Sequence, residues 1–173
     1  MPHLIVSPVS RIAETASRFG VRDMLTLMNL GSRFDRPVEI EEARHLFIGF
    51  NDITEPSDGM IHPSVDHINQ FIKFGQRWDR KAPLLIHCYA GISRSTAGAY
   101  ITAIALNPDL DENRLAQTLR HNAPSATPNA LLIALADDLL DRKGRMVDAI
   151  KAIGRGEDAF EGTPFILPLT VDT

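Results

Sequence analysis

The chain reads as an α/β fold with a parallel central sheet of about four strands flanked by helices. Three observations predict it. Short apolar runs alternate with segments of helical period through the first half, and from Ser95 onward helical segments stand alone. The run Leu84–Ile86 is too short and too uniformly apolar for an amphipathic helix, which marks a strand buried on both faces. Nothing between the N-terminus and Ile153 resembles a linker, an internal repeat or a low-complexity tract, so residues 1–173 are expected to form a single domain.

Taken in order, Leu4–Val6 is a first strand that Ser7-Pro8 ends, and Arg11–Phe19 is a helix with Gly20 placed to stop it. Met24–Met28 is a second strand, followed by a polar turn through Asn29, Gly31 and Ser32. His45–Phe50 is a third strand, and Asn51–Pro63, with Pro56, Gly59 and Pro63, is a loop. Between Ser64 and Asp79 the residues Val65, Ile68, Phe71, Ile72 and Trp78 recur at helical spacing. Pro83 opens the fourth strand, a position where its missing N–H costs little. Helices are expected over Ser95–Leu106, Glu112–Arg120, Asn129–Leu140 and Arg145–Ile153, with Thr127-Pro128 as cap and first-turn proline of the third. The tail Gly154–Thr173 is expected to be irregular, its FILPL segment docking on the body or on a partner.

Composition narrows the function classes. A net charge of −4 gives no reason to expect nucleic acid, and no apolar stretch approaches the ~20 residues of a membrane helix. The opening MPHLIVSPVSR lacks a basic segment ahead of its short apolar run, unlike a secretory signal. One cysteine allows no internal disulfide. Together these predict a reduced, cytoplasmic protein, expected to be monomeric.

The chemistry concentrates in LLIHCYAGISRSTAGA, Leu84–Ala99. A buried strand ends at His87, a tight loop runs from Cys88 to Ser93, and a helix begins at Arg94-Ser95. Ligands of open α/β sheets bind at the carboxyl ends of strands. A helix N-terminus there presents unpaired N–H groups and the positive end of its dipole, a setting for an anion. Arg94 adds a fixed charge with a fork suited to two phosphate oxygens. Gly91 can adopt backbone angles that a ring of inward N–H groups requires. The same field favours thiolate over thiol at Cys88. Against these stand blander readings, in which Ser95 merely caps the helix and His87 is structural.

HCYAGISRS resembles the Cys-x5-Arg-Ser/Thr phosphate loop of the cysteine-dependent protein tyrosine phosphatases, particularly the compact dual-specificity-like branch. The match covers Cys88, Gly91, Arg94 and Ser95, with His87 before them, and APSATPN after the next helix resembles small bacterial members. The resemblance implies a phosphotyrosine protein phosphatase-like fold and two-step hydrolysis through a phosphocysteine at Cys88. It implies that the amides of Tyr89, Ala90, Gly91, Ile92, Ser93 and Arg94 and the Arg94 guanidinium hold the phosphoryl oxygens. Ser95 would assist the departing thiolate and His87 would order the loop. No metal or other cofactor is implied, and the partner is a phosphorylated protein or a small aryl phosphate. Two departures stand out. No Lys or Arg lies between Tyr89 and Ser93, which argues against inositol lipids, and Asn122 stands where several relatives place an Arg, with Arg120 close by.

The family also uses an upstream Asp as general acid, a contribution of roughly 10²–10⁴-fold. Asp52 and Asp58 both qualify, with Glu55 between them. Asp52 is preferred because a residue just past a strand end is held by the sheet, whereas Asp58 beside Gly59 reads as a turn former. His62 and His67 flank Asp66 near a helix start, but the spacing fits no metal-ligand pattern. A rhodanese-like sulfurtransferase suits Arg94-Ser95 poorly, and the low-molecular-weight phosphatases place their loop near the N-terminus. The alternative from another class is a non-catalytic phosphoprotein-binding module.

Overall fold

A computed structural model describes residues 1–170. Strands β1 (His3–Pro8), β2 (Asp23–Met28), β3 (His45–Gly49), β4 (Leu84–Cys88) and β5 (Phe165–Pro168) form one sheet in the order β3-β2-β4-β1-β5. The helices are α1 (Ile12–Phe19), α2 (Val65–Arg77), α3 (Arg94–Leu106), α4 (Glu112–Asn122), α5 (Ala130–Leu139) and α6 (Arg145–Ile153). The first four strands pair in parallel, as the alternation of strands and helices demands.

Side chains alternate across the sheet and divide the core in two. Leu4, Val6, Leu25, Leu27, Leu84 and Ile86 face α2 through α6, while Ile5, Met24 and Leu85 face α1 with Val21 and Ile40. Both faces are therefore covered, which is why β4 is apolar at consecutive positions. Helix α3 lies in the middle of the larger core and is buried along nearly its whole length. Its small residues let it approach the sheet, and its N-terminus is thereby fixed at the end of β4.

Local signals set the element ends. Gly20 closes α1 in the left-handed conformation at φ 63°. Ser64 caps α2 in a box closed by His67, whose Nδ1 accepts from the Ser64 amide.

Two expectations need correction. The tail is not irregular throughout: β5 runs antiparallel to β1, so the sheet has five strands and is mixed. Phe165 and Leu167 point inward while Ile166 is partly exposed, a period-two pattern hidden in an unbroken apolar run. Pro168 is tolerated because β5 is an edge strand. The last three residues of the tail lie outside the described residues. The cap of α5 is Asn129, whose Oδ1 accepts from the Leu132 amide, and not Thr127. Thr127 instead donates its amide to Ile92 and accepts from Gly156. No described helix is long and apolar enough to cross a membrane.

Candidate active site

The loop after β4 packs against the start of the chain and the carboxyl end of β1. Gly91 is the residue that makes this possible. It sits at φ 69°, and a Cβ there would fall 2.7 Å from the Pro8 nitrogen, so a side chain is excluded by both conformation and space.

The loop carbonyls turn outward and are held there. Tyr89 O accepts from the Val9 amide at 3.1 Å, Ala90 O from Gly162 at 2.7 Å and Ile92 O from Thr127 at 2.9 Å. Ile92 O and Ser93 O also accept from the Thr96 hydroxyl. With carbonyls outward the amides are left to the inside. Among the described residues those of Ala90, Ile92, Ser93 and Arg94 donate to no protein group, and the Gly91 amide donates to Cys88 Sγ at 3.2 Å. This is a nest of donors at a helix N-terminus.

Cys88 is 3% exposed, and its sulfur lies 3.0 Å from Ser95 Oγ. Ser95 therefore faces the thiol and does not cap the helix; Ser93 occupies the cap position without a side-chain bond. Arg94 is 7% exposed. Its Nη1 donates to Asn29 Oδ1 at 2.7 Å and to Phe50 O at 2.8 Å. That anchors one end of the guanidinium and, among the described residues, leaves Nε and Nη2 without a protein partner, the pair that grips an oxyanion side-on. Met28, Asn29, Ser32 and Tyr89 surround Arg94 in an opening of about 320 Å³.

His87 is fully buried behind the loop. Its Nε2 lies 2.7 Å from Thr26 Oγ1, which lies 2.8 Å from His45 Nε2, and Phe34 meets both imidazole rings in T-shaped contacts. A hydroxyl has one proton, so one ring presents N–H to Thr26 and the other a lone pair. Burial pushes His87 down to about 3, so the ring stays neutral. The Cys88 backbone opposes that shift, and the neighbouring His45, also pushed down by burial, adds to it. His87 Nδ1 makes no hydrogen bond of ordinary geometry, although the Cys88 backbone lies beside it.

The candidate acids separate in space. Asp52 Oδ1 accepts from Ser93 Oγ at 2.7 Å and from Asn129 Nδ2 at 2.9 Å, which brings it to the rim of the Cys88–Ser93 loop. Asp58 sits at the tip of its loop, in the turn closed by Met60 N–H to Ser57 O, and contacts neither Cys88 nor Arg94. Glu55 lines a groove of about 620 Å³ with Asp52, Ser93 and Asn129. His67 serves α2 and stacks on Phe50 at 5.0 Å, and His62 bonds to Pro63 O.

Three residues escaped the sequence reading. Asn29 was legible only as a turn residue, Asn129 only as part of a helix, and Gly162 only as part of a tail. Each acts through contacts distant in sequence; the one available signal was that Asn29 follows directly on a strand's carboxyl end. The Asn122 departure is resolved differently, since its Nδ2 donates to Ile166 O in β5. Arg120 binds the carbonyls of Ala123, Pro124, Ala126 and Gly154, and so shapes the turn that supports the loop from outside.

No family model and no curated protein matches the sequence. Solved structures do match. The crystal structure of DUSP15 is 17% identical, with a TM-score of 0.64 over 88% of this chain and 91% of that one. Human DUSP28 is 15% identical, with a TM-score of 0.62 over 81% and 92%. The fold is that of the dual-specificity and tyrosine phosphatases. The PTP-2 phosphatase of Cydia pomonella has it too, at 18% identity and a TM-score of 0.60 over 77% of this chain and 83% of that one. At these identities the likeness is one of fold, and the chemistry rests on the residues of this chain.

Proposed function

We propose that the protein is a phosphomonoester hydrolase of the cysteine-dependent tyrosine phosphatase type, acting on phosphotyrosine in proteins or on related aryl phosphates. One observation carries the reading. Cys88 Sγ lies at the base of a loop in which, among the described residues, the amides of Ala90, Ile92, Ser93 and Arg94 have no protein partner, with Ser95 Oγ at 3.0 Å and Arg94 anchored beside it.

The Cys88 thiolate attacks phosphorus, an S–P bond forms, and the bond from phosphorus to the leaving oxygen breaks. Asp52 gives its proton to that oxygen; since Oδ1 holds two donors, Oδ2 is the oxygen to carry it. The loop amides and the outward end of Arg94 hold the three non-bridging oxygens while charge redistributes. Water then attacks phosphorus, Asp52 takes its proton, and the sulfur leaves as thiolate with the Ser95 hydroxyl donating to it. Neutral His87, fixed by Thr26, keeps the strand end from shifting. Besides Arg94 the opening is lined by Met28, Asn29, Ser32 and Tyr89. A moderate preference for phosphotyrosine is expected because a phenolate leaves more easily than an alkoxide, with some turnover of phosphoserine or phosphothreonine beside it.

Hydrolysis of a generic aryl phosphate by purified protein tests this. Wild type turns the ester over, and Cys88→Ser loses turnover while still binding phosphate or vanadate. A Cys88→Ser protein that keeps a substantial part of the rate removes the cysteine mechanism. A wild type that binds phosphopeptides without hydrolysing them is the non-catalytic module instead.

A further inference from the structure

The backbone of the loop is held from outside by the end of β1 with Val9, its own helix, Thr127 and Asn129 after α4, and the segment between α6 and β5. The last is the unexpected one. From Gly154 to Gly162 it runs across the outer side of the loop, held at one end by Arg120 on Gly154 O and along its length by Gly156 N–H to Thr127 Oγ1 and Glu157 N–H to Pro124 O. At its far end Glu161 Oε2 accepts from Ser10 Oγ at 2.7 Å, and the Gly162 amide donates to Ala90 O at 2.7 Å.

We propose that Gly162 is a positioning residue for oxyanion binding, its amide holding the Ala90 carbonyl outward so that the next amide, that of Gly91, stays turned into the cradle. The proposal rests on the phosphate-site reading above. The peptide plane is rigid, so the direction of the Ala90 carbonyl dictates that of the Gly91 N–H at the other end of the same bond. No other described donor reaches Ala90 O. The contact is also tight enough to demand glycine: a Cβ on Gly162 would lie 2.8 Å from the Gly91 carbonyl oxygen, backbone against which a side chain cannot relax. The cradle is thus completed by a residue distant in sequence, with Thr163 and Pro164 between it and the strand β5 that anchors it.

Gly162→Ala tests this by calorimetric titration with inorganic phosphate, beside wild type and Phe160→Ala. Phe160 is on the same segment and 86% exposed, so its loss leaves the loop untouched. Phosphate affinity falls at least about tenfold in Gly162→Ala, with amide exchange in β5 unchanged, and stays at the wild-type value in Phe160→Ala. Equal affinities in Gly162→Ala and wild type, or an equal loss in Phe160→Ala, overturn the proposal. Wild type that binds no phosphate removes the phosphate-site reading itself, a distinguishable failure. Should Gly162→Ala not fold, linkage supplies the second measurement on wild type: if the Gly162 bond aids phosphate binding, phosphate must strengthen that bond. Phosphate then slows exchange of the Gly162 amide more than of the β5 amides, and identical slowing in both overturns the inference.

Discussion

Between Cys88 and Ser93 the backbone is tied on its outer side by Val9, Gly162, Thr127 and Thr96, and buried beneath by Pro8. The loop from Asn51 to Pro63 is built the other way. Asn51 and Ile61 close its base, Asp52 and Ile53 are held by Ser93 and Asn129, and from Thr54 to Met60 no described residue bonds to anything outside the loop. The difference suits the two tasks proposed for these loops. An oxyanion cradle gains from donors already in place before charge develops, because no reorganisation is then needed. A proton donor must reach leaving groups of various shapes, and needs only its first residues fixed.

Charge-neutral substitution of the two acids breaks or sharpens this contrast most strongly. Asp52→Asn lowers turnover of phenyl phosphate by roughly 10²–10⁴-fold and removes the fall in activity at high pH, with a much smaller loss for an ester whose leaving group needs no proton. Asp58→Asn leaves the pH–rate profile unchanged. The reverse pattern in those profiles would place the acid on the loop tip and make closure of that loop a step in catalysis.

On the fixed side, Arg94→Lys keeps the charge but gives up the fork and both anchors, to Asn29 and Phe50. It lowers kcat by about 10²–10³-fold, the range for loss of one transition-state donor. Near-normal kcat would mean the guanidinium serves only its two protein partners.

The joint between the loops is Asn129. In Asn129→Asp the carboxylate can still cap α5, but the donor to Asp52 Oδ1 is gone and a like charge replaces it. Turnover falls about tenfold through misplacement of Asp52, while Tm stays close to wild type. A large loss of Tm with normal turnover would assign Asn129 to the fold alone.

The last effect is read on stability and not on turnover, and belongs to the buried support. The folded His87 takes a proton only near 3 against an ordinary value of 6.5. The unfolded chain is therefore protonated first as pH falls, and folding loses stability from about 6.5 downward until the folded ring also titrates, at up to about 1.4 kcal/mol per pH unit. Denaturant unfolding across that window shows a shallower pH dependence for His87→Gln than for wild type; parallel curves would mean the ring titrates alike in both states.

Sequence legibility followed the same division. The strand, loop and helix carrying Cys88, Arg94 and Ser95 are contiguous, so residue types and spacing sufficed to place them. The four parallel strands were readable from alternation, and Asp52 from its place just past β3. Asn29, Asn129 and Gly162 meet the loop across long stretches of chain, and no local pattern encodes a contact of that kind. β5 was hidden because its antiparallel pairing leaves no crossover helix to announce it, and FILPL reads equally as a docking segment.

Mass analysis of acid-quenched wild-type protein, taken during turnover of an aryl phosphate, tests the central claim most directly. The account predicts one phosphoryl group carried on the peptide containing Cys88, absent from Cys88→Ser. Steady hydrolysis with no phosphoenzyme, or a phosphoryl group on any other residue, would contradict it.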